Sequence, residues 1–431
     1  NLFSGPLYFL YKIISTINLT KELKSKYPSY NFVPVYWMAT EDHDFEEINY
    51  FNFKGKKIRW NAESTGPVGR LSTEGLEDLF EIYSQELGSS TNANALKKLF
   101  EDSYLKHQNL ADATRYLANA LFTSYGLVIM DADDADLKRA FIPFVKEELE
   151  NQTSFKKVQK SIEELSAYTV QVNPREINLF YIEDKLRERI IFENDKYVVN
   201  NTKISFSQEE IFKLLENNPE KFSPNVIMRP LYQEIILPNL CYIGGGGEIA
   251  YWLELKAFFE AVNITFPILL VRNSVLLATE KQVKKADNLN LTWKDLFSKS
   301  ENLVNEITHK LSPFPIDLTP QREALEKQFA YLFELAEKTD KSFSGAVKAQ
   351  EVKQKKGLEN LEKRLLKAQK RKLADQLERV TDLQCELFPN NSLQERQANF
   401  SEFYLERGEQ LIPLLIQKLK PLEHNFDIII I

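Results

Sequence analysis

The sequence predicts an α/β fold with a mostly parallel sheet, followed by an α-helical coiled coil. Three observations predict it. Continuous apolar runs, "FVPVYWMA", "GLVIMD" and "FPILLV", alternate with segments of helical period, as strands covered on both faces by crossover helices do. The stretch "LCYIGGGGEIAYWLELKAFFEAV" reads as strand, glycine turn and helix. From residue 319 strand signals stop, and Leu325, Phe329, Leu332, Ala336, Thr339, Phe343 and Ala346 follow the 4–3 spacing of a coiled coil.

Along the chain, "SGPLYFLYKIISTINLTKELKSKY" reads as a helix with Ser4 as N-cap and Pro6 in its first turn. Residues 104–125 read as a helix leading into "GLVIMD", and "DADLKRAFIPFVKEELE" as another. Two segments, near 51–103 and 190–222, read as insertions. The first contains "FNFKGKKIRWNAESTGPVGRL", which has the turn residues and alternation of a small β element. The second contains "KYVVNNTKISFSQEEIFKLL". It reads as a hairpin turning at Asn200–Asn201, then a helix capped by Ser207 with Glu210 completing a capping box. In the coil, Leu358, Leu361, Leu365 and Ala368 repeat the spacing in a shifted frame. Asp340 can cap a new helix there. The pattern predicts a helix over 319–338, a tight turn and a longer helix over 341–387, an antiparallel or dimerising coil spanning 319–388. "FPNN" ends it. Ser392 and Glu395 then form a capping box that opens a helical segment within 389–431, ending near "KLKP". The α/β core accordingly spans 1–318.

Composition limits the function classes. The 431 residues are 43% hydrophobic, enough for a sizeable core in two or three domains. No apolar run approaches the roughly 20 residues that span a bilayer, and "FPILLVRNSVLLA" is broken by Arg272 and Asn273. Residues 1–20 lack the basic start and cleavage site of a secretory leader. A net charge of −7 argues against bulk nucleic-acid binding. Cys241 and Cys385 are too few for a disulfide framework or a cysteine zinc site, so a cytoplasmic chain is expected. The histidines, His43, His107, His309 and His424, have no zinc-ligand spacing.

Several constellations could carry chemistry. In "ATEDHDFEE", Glu41, Asp42, His43 and Asp44 follow the apolar run, at the strand end where open parallel sheets bind ligands. The neighbouring acids favour a protonated His43 that could donate to a phosphate or carboxylate oxygen. Alternatively, the acids could bind an amine or a divalent cation, or form a capped, solvated turn. In "SGPLYFLYK", Ser4 and Gly5 precede a helix whose N–H groups could hold an anion, with Lys12 adding a cation; an ordinary capped helix is the plain alternative. Gly244, Gly245, Gly246 and Gly247 could let a ligand approach the backbone or form an anion nest, or could be a simple turn. Glu248 complements the following helix dipole in either case. In "NVIMRPLYQE", Arg229 could clamp a carboxylate or phosphate, with Gln233 and Glu234 nearby, or sit in an ion pair. The Lys-rich stretch 348–372 reads as a solvated helix face and Cys241 as packing.

Taken together, "SGPLYFLYKIIS", "PVYWMATEDHDFEEIN", "TGPVGR", "YGLVIMDADD", "FSPNVIMRPLYQEIILPNLCYIGGGGEIAYWLELK" and "LQERQANF" resemble the bacillithiol biosynthesis cysteine-adding enzymes, in order and across nearly the whole chain. Relatives carry a Thr-Gly-Gln-Gln stretch shortly before Gly-Pro-Leu-Tyr, and usually a proline within the glycine run. The resemblance implies a Rossmann-like, nucleotidyltransferase-like core and a homodimer formed through the coiled coil. It implies addition of L-cysteine to the amine of glucosaminyl malate, with ATP or another nucleotide activating the carboxylate. Site residues that follow are His43, Asp42, Asp44 and Glu41 for catalysis. Those for substrate or nucleotide are Ser4, Gly5, Tyr8, Lys12, Asn49, Arg229, Gln233, Gly244 to Gly247, Glu248 and Tyr251. A nucleotidyl- or acyl-transferase of the same fold, and a non-catalytic nucleotide-binding scaffold, are the alternatives.

Overall fold

Residues 1–431 are described by a computed structural model. In chain order its strands are β1 (Val35–Met38), β2 (Tyr50–Phe53), β3 (Lys56–Arg59), β4 (Val128–Asp131), β5 (Leu179–Glu183), β6 (Leu186–Glu193), β7 (Lys196–Val199), β8 (Ser205–Phe206), β9 (Phe222–Pro224), β10 (Cys241–Gly244), β11 (Ile268–Val271), β12 (Ser274–Ala278) and β13 (Phe426–Ile430). Two parallel pairs form the heart of the α/β unit. In one, β1 runs beside β4 with Val35 opposite Val128; in the other, β10 runs beside β11 with Cys241 opposite Ile268. Each pair is joined through helices, as parallel neighbours require.

The first insertion forms the β2–β3 hairpin, whose turn residues Lys54 and Gly55 both have positive φ, matching the twist of a tight hairpin. The second is larger than the sequence suggested. It is a five-stranded antiparallel sheet in the order β8-β7-β6-β5-β9, covering 179–224. The Asn200–Asn201 turn and the Ser207–Glu210 capping box form as expected.

Three helix starts differ from expectation. Helix α1 spans Tyr8–Lys26 and is preceded by Leu7, not capped by Ser4. The reason is tertiary: Asn399 Nδ2 donates to the carbonyls of Phe3 (2.8 Å) and Gly5 (2.7 Å), and Leu7 N–H donates to Ala398, which holds residues 3–7 outside the helix. The helix before β4 spans Leu110–Phe122, because the Asn109 side chain caps it. Ser392 and Glu395 form no capping box. Glu395 is buried against Arg272, and the helix begins at Phe400 behind Asn399. The terminal helical segment ends at Lys418, within "KLKP" as expected, and the chain continues into a strand that the sequence did not single out. "FDIII" forms β13, paired with β12.

The chain divides into two compact units, Asn1–Leu277 with Gln394–Ile429, and Ala278–Leu393. The division falls at 277/278, where the sequence placed 318/319, because the helix Ser300–Leu311 packs on Ala374–Leu387. In the first unit, one core gathers Phe3, Phe51, Tyr83, Phe100 and Phe400 around α1; a second gathers Phe141, Tyr232, Trp252 and Phe259. The returning segment is held by side chains that imitate backbone. Gln394 both accepts from Leu277 N–H and donates to Leu277 C=O, each at 2.9 Å. In the second unit, α2 (Thr319–Ala336) and α3 (Lys341–Lys372) pair antiparallel, as Glu326–Lys355 and Arg322–Glu362 show by running in opposite directions. Asp340 caps α3 as expected, but the long helix breaks at Leu373 before α4 (Ala374–Leu387). No helix is long and apolar enough to cross a membrane.

Candidate active site

A crevice opens between β1 and β10. A cavity of about 250 Å³ is walled by Val35, Tyr36 and Trp37 on one side and Cys241, Tyr242 and Ile243 on the other. Strand β4 pairs with β1 and strand β11 with β10, so the crevice lies between two separate parallel pairs, beside their strands. The cavity explains why β1 is only half-buried despite its continuous apolar sequence.

Two cations face this cavity. Lys12, from α1, pairs with Glu248 through both carboxylate oxygens at 2.7 and 3.0 Å, and Tyr242 Oη donates to the same carboxylate at 2.9 Å. The bonds from Lys12, Gly245 N–H and Tyr242 outweigh burial and hold the Glu248 carboxyl below its usual range. Arg229, from the helix Met228–Ile236, has neutral partners: it donates to Gln233 Oε1 at 3.1 Å and Tyr251 Oη at 2.9 Å, and it joins no ion pair. A guanidinium held by neutral acceptors and facing a cavity is a receptor for an anion. Cys241 lines the same cavity, but burial pushes its thiol up to about 11, so it is not a nucleophile at neutral pH.

Behind Gln233, Glu234 is buried and accepts from Asn239 N–H (3.0 Å) and Asn239 Nδ2 (2.8 Å). Burial lifts its carboxyl to about 7 despite those bonds. A folded-state pKa above the unfolded one gives stability that is full below the ordinary carboxylate range and is lost as pH rises through about 7. Glu234→Gln is therefore expected to flatten the stability profile between pH 4.5 and 7.5 by about 2–3 kcal/mol, read from urea midpoints across that range. Parallel wild-type and variant profiles would contradict the assignment.

A second cavity, about 340 Å³, adjoins the first. Ser4, Tyr8, Asp42 and Glu47 line it, and Lys12, Ile13, Tyr36, Trp37, Ala39 and Glu248 line both. Ser4, Tyr8 and Lys12 near the start of α1, Asp42 of the acidic turn and Glu248 after the glycine run therefore share one pocket, while Gly5, His43 and Gly244 to Gly247 do not line it.

The four residues of the acidic turn separate sharply. Only Asp42 lines the pocket. Glu41 points inward, buried 2.7 Å from Lys138 Nζ, and burial raises its carboxyl. Asp44 caps the short helix Phe45–Ile48 by accepting from Glu47 N–H. His43 turns toward the antiparallel sheet. Its Nδ1 lies 2.6 Å from Arg187 Nη1, and its ring 5.5 Å from Phe180. A guanidinium can only donate, so Nδ1 accepts and the proton sits on Nε2. The expected imidazolium is not found: burial and then Arg187 depress the His43 pKa, against Asp42 and Asp44.

Sequence reasoning missed the frame that holds this turn. "TGPVGR" wraps it: Gly69 N–H donates to Thr40 C=O at 2.7 Å, Val68 N–H to Asp42 C=O at 2.6 Å, and a Cβ on Gly69 would lie 2.5 Å from Thr40 Cβ. Arg70 grips Asp133 with two bonds of 2.6 and 2.8 Å, and Lys138 joins Asp133 (3.1 Å) to Glu41. The quoted motifs "TGPVGR" and "YGLVIMDADD" contain two of these residues, but nothing in the sequence pairs them.

The glycine run is not a nest. None of Gly244 to Gly247 has positive φ, which a nest requires; Gly245 caps the helix Gly246–Leu253 and gives its N–H to Glu248 at 2.8 Å. Added Cβ atoms at Gly246 and Gly247 would meet open space. Next to it, Arg272 is buried, bound to Glu395 Oε1 at 2.9 Å and lying over the Tyr8 ring at 5.5 Å. Asn49 sits in the core with its side-chain oxygen unpartnered, lining none of these cavities. The groups expected to cradle phosphates do not fit a polyanion. Lys12 is neutralised by Glu248, Leu7 N–H is used by Ala398, and Asp42, Glu47 and Glu248 line the cavity where the phosphates would lie. No group of three or more His, Cys, Asp or Glu is arranged to hold a metal ion.

Two parallel strand pairs flanking a crevice, followed by an antiparallel helical coil, define a Rossmann-like protein with an appended coiled coil. Family profiles agree in both parts. Residues 1–273 match "Bacillithiol biosynthesis BshC, N-terminal Rossmann-like domain", and 275–431 match "Bacillithiol biosynthesis BshC, C-terminal coiled-coil domain". The chain belongs to the BshC family of bacillithiol biosynthesis. It is 84% identical over 431 residues to a Flavobacterium johnsoniae protein named "Putative cysteine ligase BshC", covering 100% of this chain and 82% of that one. Proteins of the same name from Flavobacterium psychrophilum and Staphylococcus haemolyticus are 64% and 28% identical, each over 100% of this chain and 81% and 82% of their own lengths.

Proposed function

We propose that this protein joins L-cysteine to the amine of glucosaminyl malate by an amide bond, completing bacillithiol, in the cytoplasm. The observation that carries the reading is Arg229: a cation without an acidic partner, facing the crevice between β1 and β10. It holds a malate carboxylate, with Gln233 and Tyr251 fixing its plane. The names of the relatives support a cysteine ligase. A free carboxylate is a poor acyl donor at neutral pH, so the cysteine carboxyl must first gain a leaving group, and a nucleotide is the expected source. The amine nitrogen then bonds to the carboxyl carbon, loses a proton and expels that group. Because Ser4, Gly5, Lys12 and the glycine run do not fit a polyanion, no step is assigned to them through the nucleotide. Lys12 and Glu248 face both cavities and orient the reacting ends by charge.

Purified protein with cysteine and glucosaminyl malate, with and without ATP, tests the reading by mass spectrometry of the product. Amide of the bacillithiol mass is expected; a different acceptor being acylated instead, or none, would overturn it. His43 lies outside both cavities and acts as an Nε2–H donor. His43→Ala is therefore expected to lower turnover by no more than about tenfold, the loss of one hydrogen bond. A thousandfold loss would place the imidazole in the chemistry.

The coiled coil serves dimerisation in this proposal. Tyr331, Phe343, Val352 and Leu361 stay exposed along α2 and α3. A second copy would cover part of this exposed apolar surface.

A further inference from the structure

We propose that the cavity beyond the Lys12–Glu248 wall binds the ammonium group of the amino-acid substrate, with Asp42 and the Ser4 hydroxyl as its principal ligands. This rests on the ligase reading and assigns its two substrates to two cavities. The adjoining cavities differ in charge. The crevice between β1 and β10 presents Arg229 and Lys12 against Glu248, and so favours an anion. Among the side chains of its neighbour, Asp42, Glu47 and Glu248 face one cation, Lys12, with the backbone nitrogen of Asn1 also at its edge, and the balance favours a cation.

A second observation points to a ligand there. Ser4 is 3% exposed, lines this cavity, and its Oγ has no hydrogen-bond partner. A buried hydroxyl without a partner costs free energy that a bound donor recovers. Asp42 is similarly available. Its Oδ1 accepts the N–H of His43 within its own turn at 2.7 Å. The nearest side-chain nitrogens are His43 Nδ1 at 3.7 Å, whose lone pair is already taken by Arg187, and Arg187 Nη1 at 4.0 Å. An ammonium supplies three donors, which Asp42, Ser4 and Glu47 can accept. Phe9, Met38 and Ile48 give the same cavity an apolar wall for a small side chain. With its ammonium there, an amino acid lies beside the wall shared with the cavity that Arg229 assigns to the malate-bearing amine.

The test measures KM for cysteine and for glucosaminyl malate separately in the full chain, its Asp42→Asn variant and its Ser4→Ala variant. Calorimetric titration with cysteine and with 3-mercaptopropionate, which lacks the amino group, accompanies it and needs no turnover. Asp42→Asn is expected to raise KM for cysteine about ten- to a hundredfold and Ser4→Ala about three- to tenfold, with KM for glucosaminyl malate within about twofold. The wild type is expected to bind cysteine but not 3-mercaptopropionate. A rise in KM for glucosaminyl malate instead, unchanged KM for both, or equal binding of the two thiols would overturn the proposal. If the wild type makes no amide, yet cysteine binds and Asp42→Asn abolishes that binding, the ligase reading fails and the ammonium site stands. Amide formation with an unaltered cysteine KM in both variants means the reverse. Ser4→Ala removes one atom from a turn fixed by Asn399, so it reports even if Asp42→Asn disturbs its loop.

Discussion

Lys138→Met is expected to destabilise the α/β unit by about 3–5 kcal/mol, the largest stability effect of any single substitution argued here. The ammonium is 2% exposed and lies 2.7 Å from Glu41 and 3.1 Å from Asp133, with Glu220 C=O at 3.2 Å. Asp133 keeps Arg70 when Lys138 is removed. Glu41 keeps no ion pair, only the more distant charge of Arg187. Burial is already the main cause of its raised carboxyl pKa, and Lys138 is the main influence lowering it. Without Lys138 the Glu41 pKa rises further. A raised folded-state pKa gives stability that is complete in acid and lost as pH climbs, so the deficit of the variant should be small at pH 5 and large at pH 8. Urea unfolding of both proteins at the two pH values checks this. A deficit that does not depend on pH would mean that lost packing, rather than an orphaned carboxylate, is the cause.

Arg229→Ala is expected to raise KM for glucosaminyl malate by about a hundredfold or more, leaving KM for cysteine within about twofold. A hydrogen bond to a charged group is worth about 1.5–3 kcal/mol, and a guanidinium can offer a carboxylate two. Folding should be spared, because the groups released are Gln233 Oε1 and Tyr251 Oη, both neutral. That separates Arg229 from Arg272, which would leave Glu395 buried and unpaired. Arg229→Lys should recover little, since an ammonium cannot present two parallel donors. Steady-state kinetics with each substrate varied in turn reads the split. Equal losses for both substrates would remove Arg229 from the malate subsite.

Much of the fold was legible because apolar runs and caps are local signals. The runs at 35–38, 128–131 and 268–271 became parallel strands, and Asp340 and Ser207 capped the helices they were expected to cap. Failures arose where a distant partner decided the outcome. Ser4 looked like an N-cap until Asn399, almost 400 residues away, took the neighbouring carbonyls. Glu395 looked like a capping-box residue until Arg272 claimed it. "FDIII" is too short to be distinguished from a helical end by period alone. The site shows the same division. Ser4, Asp42 and Glu248 each follow or precede a segment whose element type is legible locally, and they share one cavity. Which carboxylate of "EDHD" faces the pocket depends on Lys138 and Arg187, and neither is near the turn in sequence.

The central claim is that the crevice between β1 and β10 is where the malate-bearing substrate lies. A crystal structure of the full chain with glucosaminyl malate tests it most directly. A malate carboxylate on the Arg229 guanidinium, with the sugar amine directed toward Lys12 and Glu248, is expected. Glucosaminyl malate seated elsewhere, with Arg229 still bound only to Gln233 and Tyr251, would contradict it.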